Sequence, residues 1–174
     1  MKKEKSKAQL TVMERFRLAN KVIRPLMSFL KIGYRSKCQR KRKLRPHNIA
    51  VAQVSKEAII GEYPDMSVDY TKILFCDGYY PGLSSVTLLL SSGQVELRHR
   101  LDSSSIGRNE DDIVLWLMFC PILEECISIE GIRNVDKFTM SIPQRFEGYD
   151  CYHYLMVCRR DYGLFSKSQY LGKS

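Results

Sequence analysis

The chain contains three histidines and six cysteines, whose side chains could act as bases, nucleophiles or metal ligands. His47, His99 and His153 lie far apart, and the sequence has no Cys/His zinc spacing, no H-E-x-x-H motif and no glycine-rich phosphate loop. Cys151 and Cys158 lie near His153, and a thiol beside an imidazole would suit nucleophilic catalysis. Because a single histidine in a predicted strand is usually structural, we expect no catalytic residue, no metal and no cofactor.

Adjacent carboxylates are the other candidates for acid–base chemistry. Asp111-Asp112 and Glu124-Glu125 both fall at expected helix ends, where a carboxylate complements the helix dipole or is simply solvated. No C-x-x-C pair is present, and no apolar segment follows the charged start, Met1 to Lys5. We therefore expect free thiols in a reducing compartment. The longest nearly apolar run, residues 113–123, is too short to cross a bilayer.

Positive charge is the strongest signal in the sequence. Residues 1–45 hold 16 Lys/Arg and 2 Glu, whereas residues 46–174 hold 12 Lys/Arg and 17 Asp/Glu. The densest run is KCQRKRKLR, residues 37–45. Its six cations are Lys37, Arg40, Lys41, Arg42, Lys43 and Arg45. Such a run suits the phosphates of nucleic acid, the headgroups of an anionic membrane or a nuclear import receptor, and a solvated linker is the alternative.

An amphipathic helix is predicted before this run. Thr11 to Glu14 has the pattern of a capping box, and Pro25 should kink the helix that follows. Apolar residues then recur every three or four positions, and we expect three of them, Phe16, Ile23 and Leu30, to insert into a membrane. The basic residues of the helix would meet headgroups or RNA phosphates: Arg15, Arg17, Lys21 and Arg24. Docking of the apolar stripe on the rest of the protein is the alternative.

Two adjacent tyrosines, Tyr79 and Tyr80, lie in the predicted turn DGYYPG. Exposed tyrosines in a turn favour a contact surface, and a ring packed on a sheet edge is the alternative.

The remaining pattern predicts an α+β fold. Short strands are expected at 48–54, 71–76, 84–90, 94–100, 137–142 and 152–158, with 84–90 and 94–100 forming a hairpin. The continuously apolar segment 113–120, preceded by Asn109, is predicted to be a buried helix on which a small antiparallel sheet packs. The chain divides into a basic N-terminal arm, residues 1–46, and a compact body, residues 47–174.

This order of segments resembles that of viral matrix proteins. The lysine-rich start MKKEKSK, the run KCQRKRKLR and the compact body lacking an active site are most similar to the small matrix proteins of plant rhabdoviruses of the cytorhabdovirus type. The resemblance implies a structural protein that condenses the viral nucleoprotein–RNA complex, self-associates and lies under the viral envelope. The Pro-Pro-x-Tyr budding motif of animal relatives is missing.

Three functions follow as hypotheses. The first is a matrix-type adaptor that bridges nucleoprotein–RNA and an anionic membrane as a homo-oligomer, in the virion and on host cytoplasmic membranes. The second is a small basic RNA-binding accessory protein of a virus, such as a silencing suppressor or movement factor. Beyond the virion, host cytoplasm and endomembranes, the nucleus is a further expected location of the protein. The third is an enzyme that uses Cys151 or Cys158, which predicts a thiol with a strongly lowered pKa.

Overall fold

The computed structural model of the chain describes residues 4–40, 43–101 and 108–174. Its fold is α+β, as predicted, with helices in the N-terminal third and antiparallel strands after them. The helices are α1 (Lys7–Ile23), α2 (Met27–Gly33), α3 (Arg35–Arg40) and α4 (Pro46–Gln53). The strands are β1 (Ile59–Ile60), β2 (Ser67–Val68), β3 (Thr87–Ser91), β4 (Gln94–Arg98), β5 (Ile113–Cys120), β6 (Glu125–Ile132), β7 (Lys137–Ser141), β8 (Tyr152–Cys158) and β9 (Gln169–Lys173).

Helix α1 begins one turn earlier than the sequence indicated. Its capping box is formed by Ser6 and Gln9, because the Ser6 hydroxyl accepts from the Gln9 amide and the Gln9 side chain accepts from the Ser6 amide. The predicted cap at Thr11 is wrong, since the Thr11 hydroxyl instead donates to the Lys7 carbonyl inside the helix. The interruption expected at Pro25 is confirmed as a 3₁₀ turn, Arg24–Leu26, between α1 and α2.

The strands form two main antiparallel sheets that lie face to face. One has the order β3-β4-β7 and the other the order β6-β5-β8-β9, while β1 and β2 make a short separate pair. If the strands are numbered from β3, then β3, β4 and β7 are the first, second and fifth and share one sheet. Strands β5, β8 and β9 are the third, sixth and seventh and share the other. This division is that of immunoglobulin-like sandwiches, with the fourth strand here added to the second sheet. The predicted hairpin is confirmed as β3 and β4, and the last two predicted strands as β7 and β8.

Strand β5 replaces the predicted buried helix at 113–120. It pairs with β6 on one side and β8 on the other, so it is a central strand of the four-stranded sheet. Val114, Trp116 and Met118 pack towards the three-stranded sheet, whereas Leu117 and Phe119 pack towards the helices. Because both faces of this strand are covered, the alternation of polar and apolar residues that marks a half-buried strand is missing.

Two of the predicted strands are also wrong. Residues 48–54 lie in α4 and the start of a π-helical turn, Val54–Ala58, that continues it. Residues 71–76 begin in a 3₁₀ turn, Tyr70–Lys72, and residues 73–76 then continue outside any of the strands. The helix expected after Asn109 does not form: residues 110–111 make a turn, across which the Asp112 amide donates to the Asn109 carbonyl, and β5 follows.

The helices cover the second face of the four-stranded sheet. Ala19, Ile23 and Leu30 belong to one buried cluster with Leu117 and Phe119 of β5. The boundary expected after residue 46 therefore falls within the segment that builds this core. Ile23 and Leu30 are fully buried, so the prediction that they insert into a membrane is wrong for the folded chain. Of the three residues proposed for insertion, Phe16 alone is exposed, at 58%.

The different positions of Ile23 and Phe16 predict opposite effects of truncation. Ile23→Ala should lower the free energy of unfolding by about 2–5 kcal/mol, because it leaves a cavity between helix and sheet. Phe16→Ala, a truncation two turns earlier on the same apolar stripe but in solvent, should change it by no more than about 0.5 kcal/mol. Urea unfolding monitored by Trp116 fluorescence measures both. Equal losses would contradict the docking of α1 described above.

Candidate anion-binding surface

The helical segment carries an uninterrupted excess of positive charge. Between residues 15 and 56 the sequence contains 13 Lys/Arg and no Asp or Glu. Because one side of α1 and α2 is committed to the core, these charges must lie on the other sides of the helices. This segment is therefore where an anionic partner would bind.

Five of these cations form a line along the outer side of α1, α2 and the start of α3, which we call the basic ridge. Its members follow one another at intervals of four, three, seven and four residues along these successive helical segments, and all are exposed. They are Arg17, Lys21, Arg24, Lys31 and Arg35. The buried residues Ile23, Leu26 and Leu30 lie on the opposite side. Three of the four predicted helix cations, Arg17, Lys21 and Arg24, thus belong to one surface.

The two ends of the basic ridge differ in their ion pairing. Arg17 makes a two-pronged ion pair with Glu14, whose pKa is lowered by this hydrogen bond, and Lys21 lies 3.7 Å from Glu124. Arg24, Lys31 and Arg35 make no ion pair with any residue in the described ranges 4–40, 43–101 and 108–174. Exposed ion pairs contribute little, so even the paired members remain available to an anion.

Arg15, a predicted binding residue, has a structural role instead. Its guanidinium Nη1 donates to the carbonyl oxygens of Ser55, at 2.8 Å, and Ile59, at 3.2 Å. These bonds fasten the exposed half of α1 to the end of the π-helical turn. Arg15 is therefore not counted in the basic ridge.

The basic run 37–45 is partly helical rather than a free linker. Lys37 and Arg40 lie in α3, where Lys37 pairs with Asp77 at 3.2 Å and the Arg40 Nε–H donates to the Ser36 carbonyl. Lys43 and Arg45 are exposed and pair with no carboxylate in the part of the chain that the structure describes. Two further predicted cations, Lys41 and Arg42, lie outside the described residues.

The N-terminal half of α1 is largely exposed to solvent. None of residues 4–18 is buried, and Val12, Met13 and Phe16 are exposed at 67%, 49% and 58%. We call these three residues the apolar patch. Met13 and Phe16 line a shallow hollow of about 470 Å³ together with basic-ridge residues, so the patch and the ridge adjoin. Of these three residues the sequence singled out Phe16 for membrane insertion, and it could not show that burial along α1 begins only at Ala19.

Tyr79 and Tyr80 have different environments. The Tyr79 side chain is 97% exposed. The Tyr80 hydroxyl donates to the Asp112 carboxylate, 2.7 Å from Oδ1, and accepts from the Asn109 side chain. The Tyr80 ring thus packs on the body, as one alternative had it, while a contact surface at the exposed Tyr79 stays a prediction.

Asp112 is the acceptor at the centre of a buried polar network that the sequence did not reveal. It is fully buried, it lies 3.1 Å from Arg133 Nε, and it accepts the Asn109 amide. The Arg133 guanidinium also donates to the carbonyls of Pro81 and Gly82, next to Tyr80. A buried carboxylate requires such partners, and here they connect three loops. The one indication in the sequence was that Asp112 directly precedes the apolar run 113–120.

Four of the residues considered for catalysis are buried: Cys151, Cys158, His99 and His153. Burial raises the pKa of both Cys151 and Cys158 to about 12, the opposite of the lowered thiol pKa that the enzyme hypothesis predicts. His47 instead joins α4 to α1 through Asn20, and His99 donates to the Val135 carbonyl. Within the described ranges, no group of three or more His, Cys, Asp or Glu side chains is placed to hold a metal ion.

His153 is enclosed between Trp116 and Ser174. The Trp116 Nε1–H donates to His153 Nδ1 at 3.2 Å, so the proton of the neutral ring lies on Nε2, which donates to the Ser174 hydroxyl at 2.9 Å. Burial lowers the pKa of His153 to about 4. The neutral imidazole is therefore a structural element of the sandwich at ordinary pH.

A protein family of unknown function, DUF6266, matches residues 1–172. The chain belongs to this family. No curated protein matches it significantly. The DUF6266 description assigns no activity, and neither comparison links the chain to rhabdovirus matrix proteins, so that resemblance remains a hypothesis. None of the helices described for this DUF6266 chain is both long and apolar enough to span a membrane.

The buried His153 predicts a specific loss of stability in acid. Above pH 6.5 the ring is neutral in both states; as the pH falls towards 4, the unfolded chain binds a proton that the folded chain does not. Folding should therefore lose about 3 kcal/mol over this interval because of this residue. Urea unfolding at several pH values measures the loss, and a His153→Gln variant, which does not titrate, is the control. Parallel pH profiles of the two proteins would contradict the burial of a neutral ring.

Proposed function

We propose that this protein is a non-catalytic adaptor that binds the surface of an anionic membrane with its N-terminal helices. The observation that carries the proposal is the position of the exposed apolar patch directly beside the basic ridge, on the part of α1 that has no buried residue. An exposed apolar stripe flanked by Lys and Arg is the arrangement of helices that lie in the interface of a bilayer.

Electrostatic attraction and the burial of apolar side chains together give reversible binding to the membrane surface. Each Lys or Arg near an anionic surface contributes on the order of 1 kcal/mol at low to moderate salt, and the basic ridge holds five. Val12, Met13 and Phe16 then add apolar burial at one end of the ridge. They take the place of Ile23 and Leu30, which the folded protein needs for its core.

In the matrix-type version of this proposal, the helices meet the inner face of an envelope or a host endomembrane. The β-sandwich, on the other side of the helices, is then free to contact the nucleoprotein–RNA complex or another copy of the chain. The resemblance in segment order supports this part of the proposal.

The second candidate is a small RNA-binding accessory protein. Arg40 favours it, because this exposed cation pairs with no carboxylate among the described residues and lies in a cleft with the exposed Tyr79. This function predicts that RNA binding survives when the apolar patch is made polar.

Vesicle flotation tests the membrane proposal through two sets of substitutions. Replacing Val12, Met13 and Phe16 by Ser should abolish stable binding to phosphatidylserine-containing vesicles at moderate salt. Neutralising Arg24, Lys31 and Arg35 to Gln should weaken binding about 100-fold, since three contributions of about 1 kcal/mol are lost. Wild-type protein should not float with purely phosphatidylcholine vesicles.

Matched control variants test whether vesicle binding depends on where the apolar and basic residues lie, rather than on the protein's total apolar surface and charge. Leu89 and Leu90 are exposed at 43% and 59% on β3, so their change to Ser removes apolar surface elsewhere. Changing the exposed Lys56, Lys72 and Lys167 to Gln lowers the net charge by the same three. Both controls should bind vesicles like the wild type. The membrane proposal fails if the patch variant floats normally, or if a control loses as much binding as its partner.

A further inference from the structure

The turn that carries Tyr79 is clamped to the loop beyond β8. The Tyr80 amide donates to the Phe165 carbonyl at 2.9 Å, and Asp77 forms an isolated β-bridge with Lys167. Between them the chain approaches so closely that a Cβ atom on Gly78 would lie 1.9 Å from the Phe165 carbonyl oxygen. Only glycine fits at this position, so the backbone of the turn is fixed.

The Tyr80 ring secures the same turn from inside. Its hydroxyl is held by the buried Asp112, and its ring lies 6.0 Å from the Arg133 guanidinium. Tyr79 therefore stands on a fixed backbone while its own side chain is 97% exposed. A ring presented in this way loses little conformational freedom when a ligand stacks on it.

A cleft of about 640 Å³ separates this turn from α3. Ser36, Gln39 and Arg40 line the helical wall, and Gly78, Tyr79 and Leu164 are among the residues of the other. The volume is within the range of small-molecule sites and suffices for a nucleotide. Hydroxyl, amide and guanidinium groups thus face a tyrosine ring across an open cleft.

The charge around the cleft identifies the class of ligand. No carboxylate is among its described lining residues, and the basic run continues from Arg40 to the exposed Lys43 and Arg45. A lipid headgroup would use these charges but has no aromatic ring for Tyr79, and an acidic peptide would likewise leave the ring unused. Single-stranded nucleic acid offers a phosphate and a base at each step.

We propose that this cleft binds single-stranded RNA, with one base stacked on Tyr79 and an adjacent phosphate paired with Arg40. Ser36 and Gln39 supply hydrogen bonds to the base edge or the ribose. The site is separate from the apolar patch, and it gives the second candidate function a location. In a bridging protein, the membrane and the RNA would then bind to different parts of the helical segment.

Fluorescence anisotropy with a labelled 12-nucleotide oligouridylate tests the site. Tyr79→Ala should weaken binding about tenfold or more with no change in the salt dependence, whereas Tyr79→Phe should bind like the wild type. Arg40→Gln should weaken binding and lower the slope of log K against log salt by about one. Tyr149→Ala, which removes another exposed tyrosine, is the control and should bind normally.

Several outcomes would overturn the RNA site. The first is an unchanged RNA affinity of Tyr79→Ala, and the second is an equal loss of RNA affinity in Tyr149→Ala. The third is that Tyr79→Ala loses self-association or protein capture instead of RNA binding, which would assign the cleft to a protein interface. Because Tyr79 is almost entirely in solvent, its variants should keep the melting temperature of the wild type. Vesicle flotation of Tyr79→Ala should stay normal, so failure here is distinguishable from failure of the membrane proposal.

An independent observation concerns Cys120 and Cys151. The β5–β8 register ends with Phe119 opposite Tyr152, so Cys120 and Cys151 are the next opposed pair. The Cys151 amide donates to the Ser174 carbonyl, and the Ser174 amide donates to the Cys151 carbonyl, at 2.9 Å each. Both bonds lie on the side of Cys151 that faces away from β5. Cys151 therefore makes no ladder bond to β5. Such non-hydrogen-bonded pairs have Cα atoms about 4.5 Å apart, within the range that a disulfide spans.

We infer that Cys120 and Cys151 form a cross-strand disulfide when the protein meets a disulfide oxidant. Both thiols are buried in the same apolar cluster and free in this structure. One thiolate attacks glutathione disulfide and releases a glutathione thiol; the second thiolate displaces another glutathione and closes the bond. The two cysteines lose two electrons and two protons, which the two glutathione molecules receive.

Incubation with glutathione disulfide in urea below the unfolding midpoint, followed by alkylation and peptide mass spectrometry, tests this inference. We expect one linked pair, Cys120 with Cys151, and a raised melting temperature of the oxidised protein. Cys126→Ser should oxidise normally, whereas Cys151→Ser should show neither the link nor the shift. A dominant link between other cysteines, or no link in the wild type, would overturn it.

Discussion

The four-stranded sheet has an apolar surface on each side, and neither side can be left in water. Along β5, Trp116 and Met118 project to one side, and Leu117 and Phe119 to the other. Burying each such side chain contributes about 1.5–3 kcal/mol, so an uncovered face would cost more than a domain of this size can lose. The three-stranded sheet covers one face and helices α1 and α2 cover the other. The helices are thus part of the fold rather than an appendage.

This constraint also decides where the positive charge lies. Since Ile23, Leu26 and Leu30 must face the sheet, the cations that alternate with them face solvent. From Arg17 to Arg35 they are carried by α1, the 3₁₀ turn Arg24–Leu26, α2 and the first residue of α3. The packing of these segments on the sheet holds the basic ridge in place, and Lys21 lies 3.7 Å from Glu124 of the acidic body. A cationic surface fixed in this way can bind a polyanion without first becoming ordered.

A second constraint acts at the edge of the sandwich, where Asp112 is buried with Arg133. Removing two charges from water is costly, and the pair is retained only because further partners complete it. Those partners are Asn109, Tyr80 and the carbonyls of the turn after Tyr80. The network gives the loops a single arrangement, and the fixed, exposed position of Tyr79 is a consequence of it.

Local patterns determined much of this protein in advance. The α+β class, the hairpin of β3 and β4, the break at Pro25, the amphipathic character of α1 and the concentration of positive charge all follow from residue order, because each depends on neighbours within a few positions. The candidate cations Arg17, Lys21, Arg24 and Arg40 and the exposed residue Tyr79 were also found from the sequence. Each of them is a polar or aromatic residue whose exposure a local pattern can indicate.

What the sequence could not decide is which surfaces meet. Residues 113–120 are apolar throughout, and a strand covered on both faces has the same composition as a buried helix, so only the pairing of β5 with β6 and β8 settles its structure. The same apolar stripe of α1 contains Phe16 in solvent and Ile23 in the core, because the body covers this stripe only from Ala19 onward. Exposure is a property of the assembled layers, and these are formed by residues about a hundred positions apart in the chain.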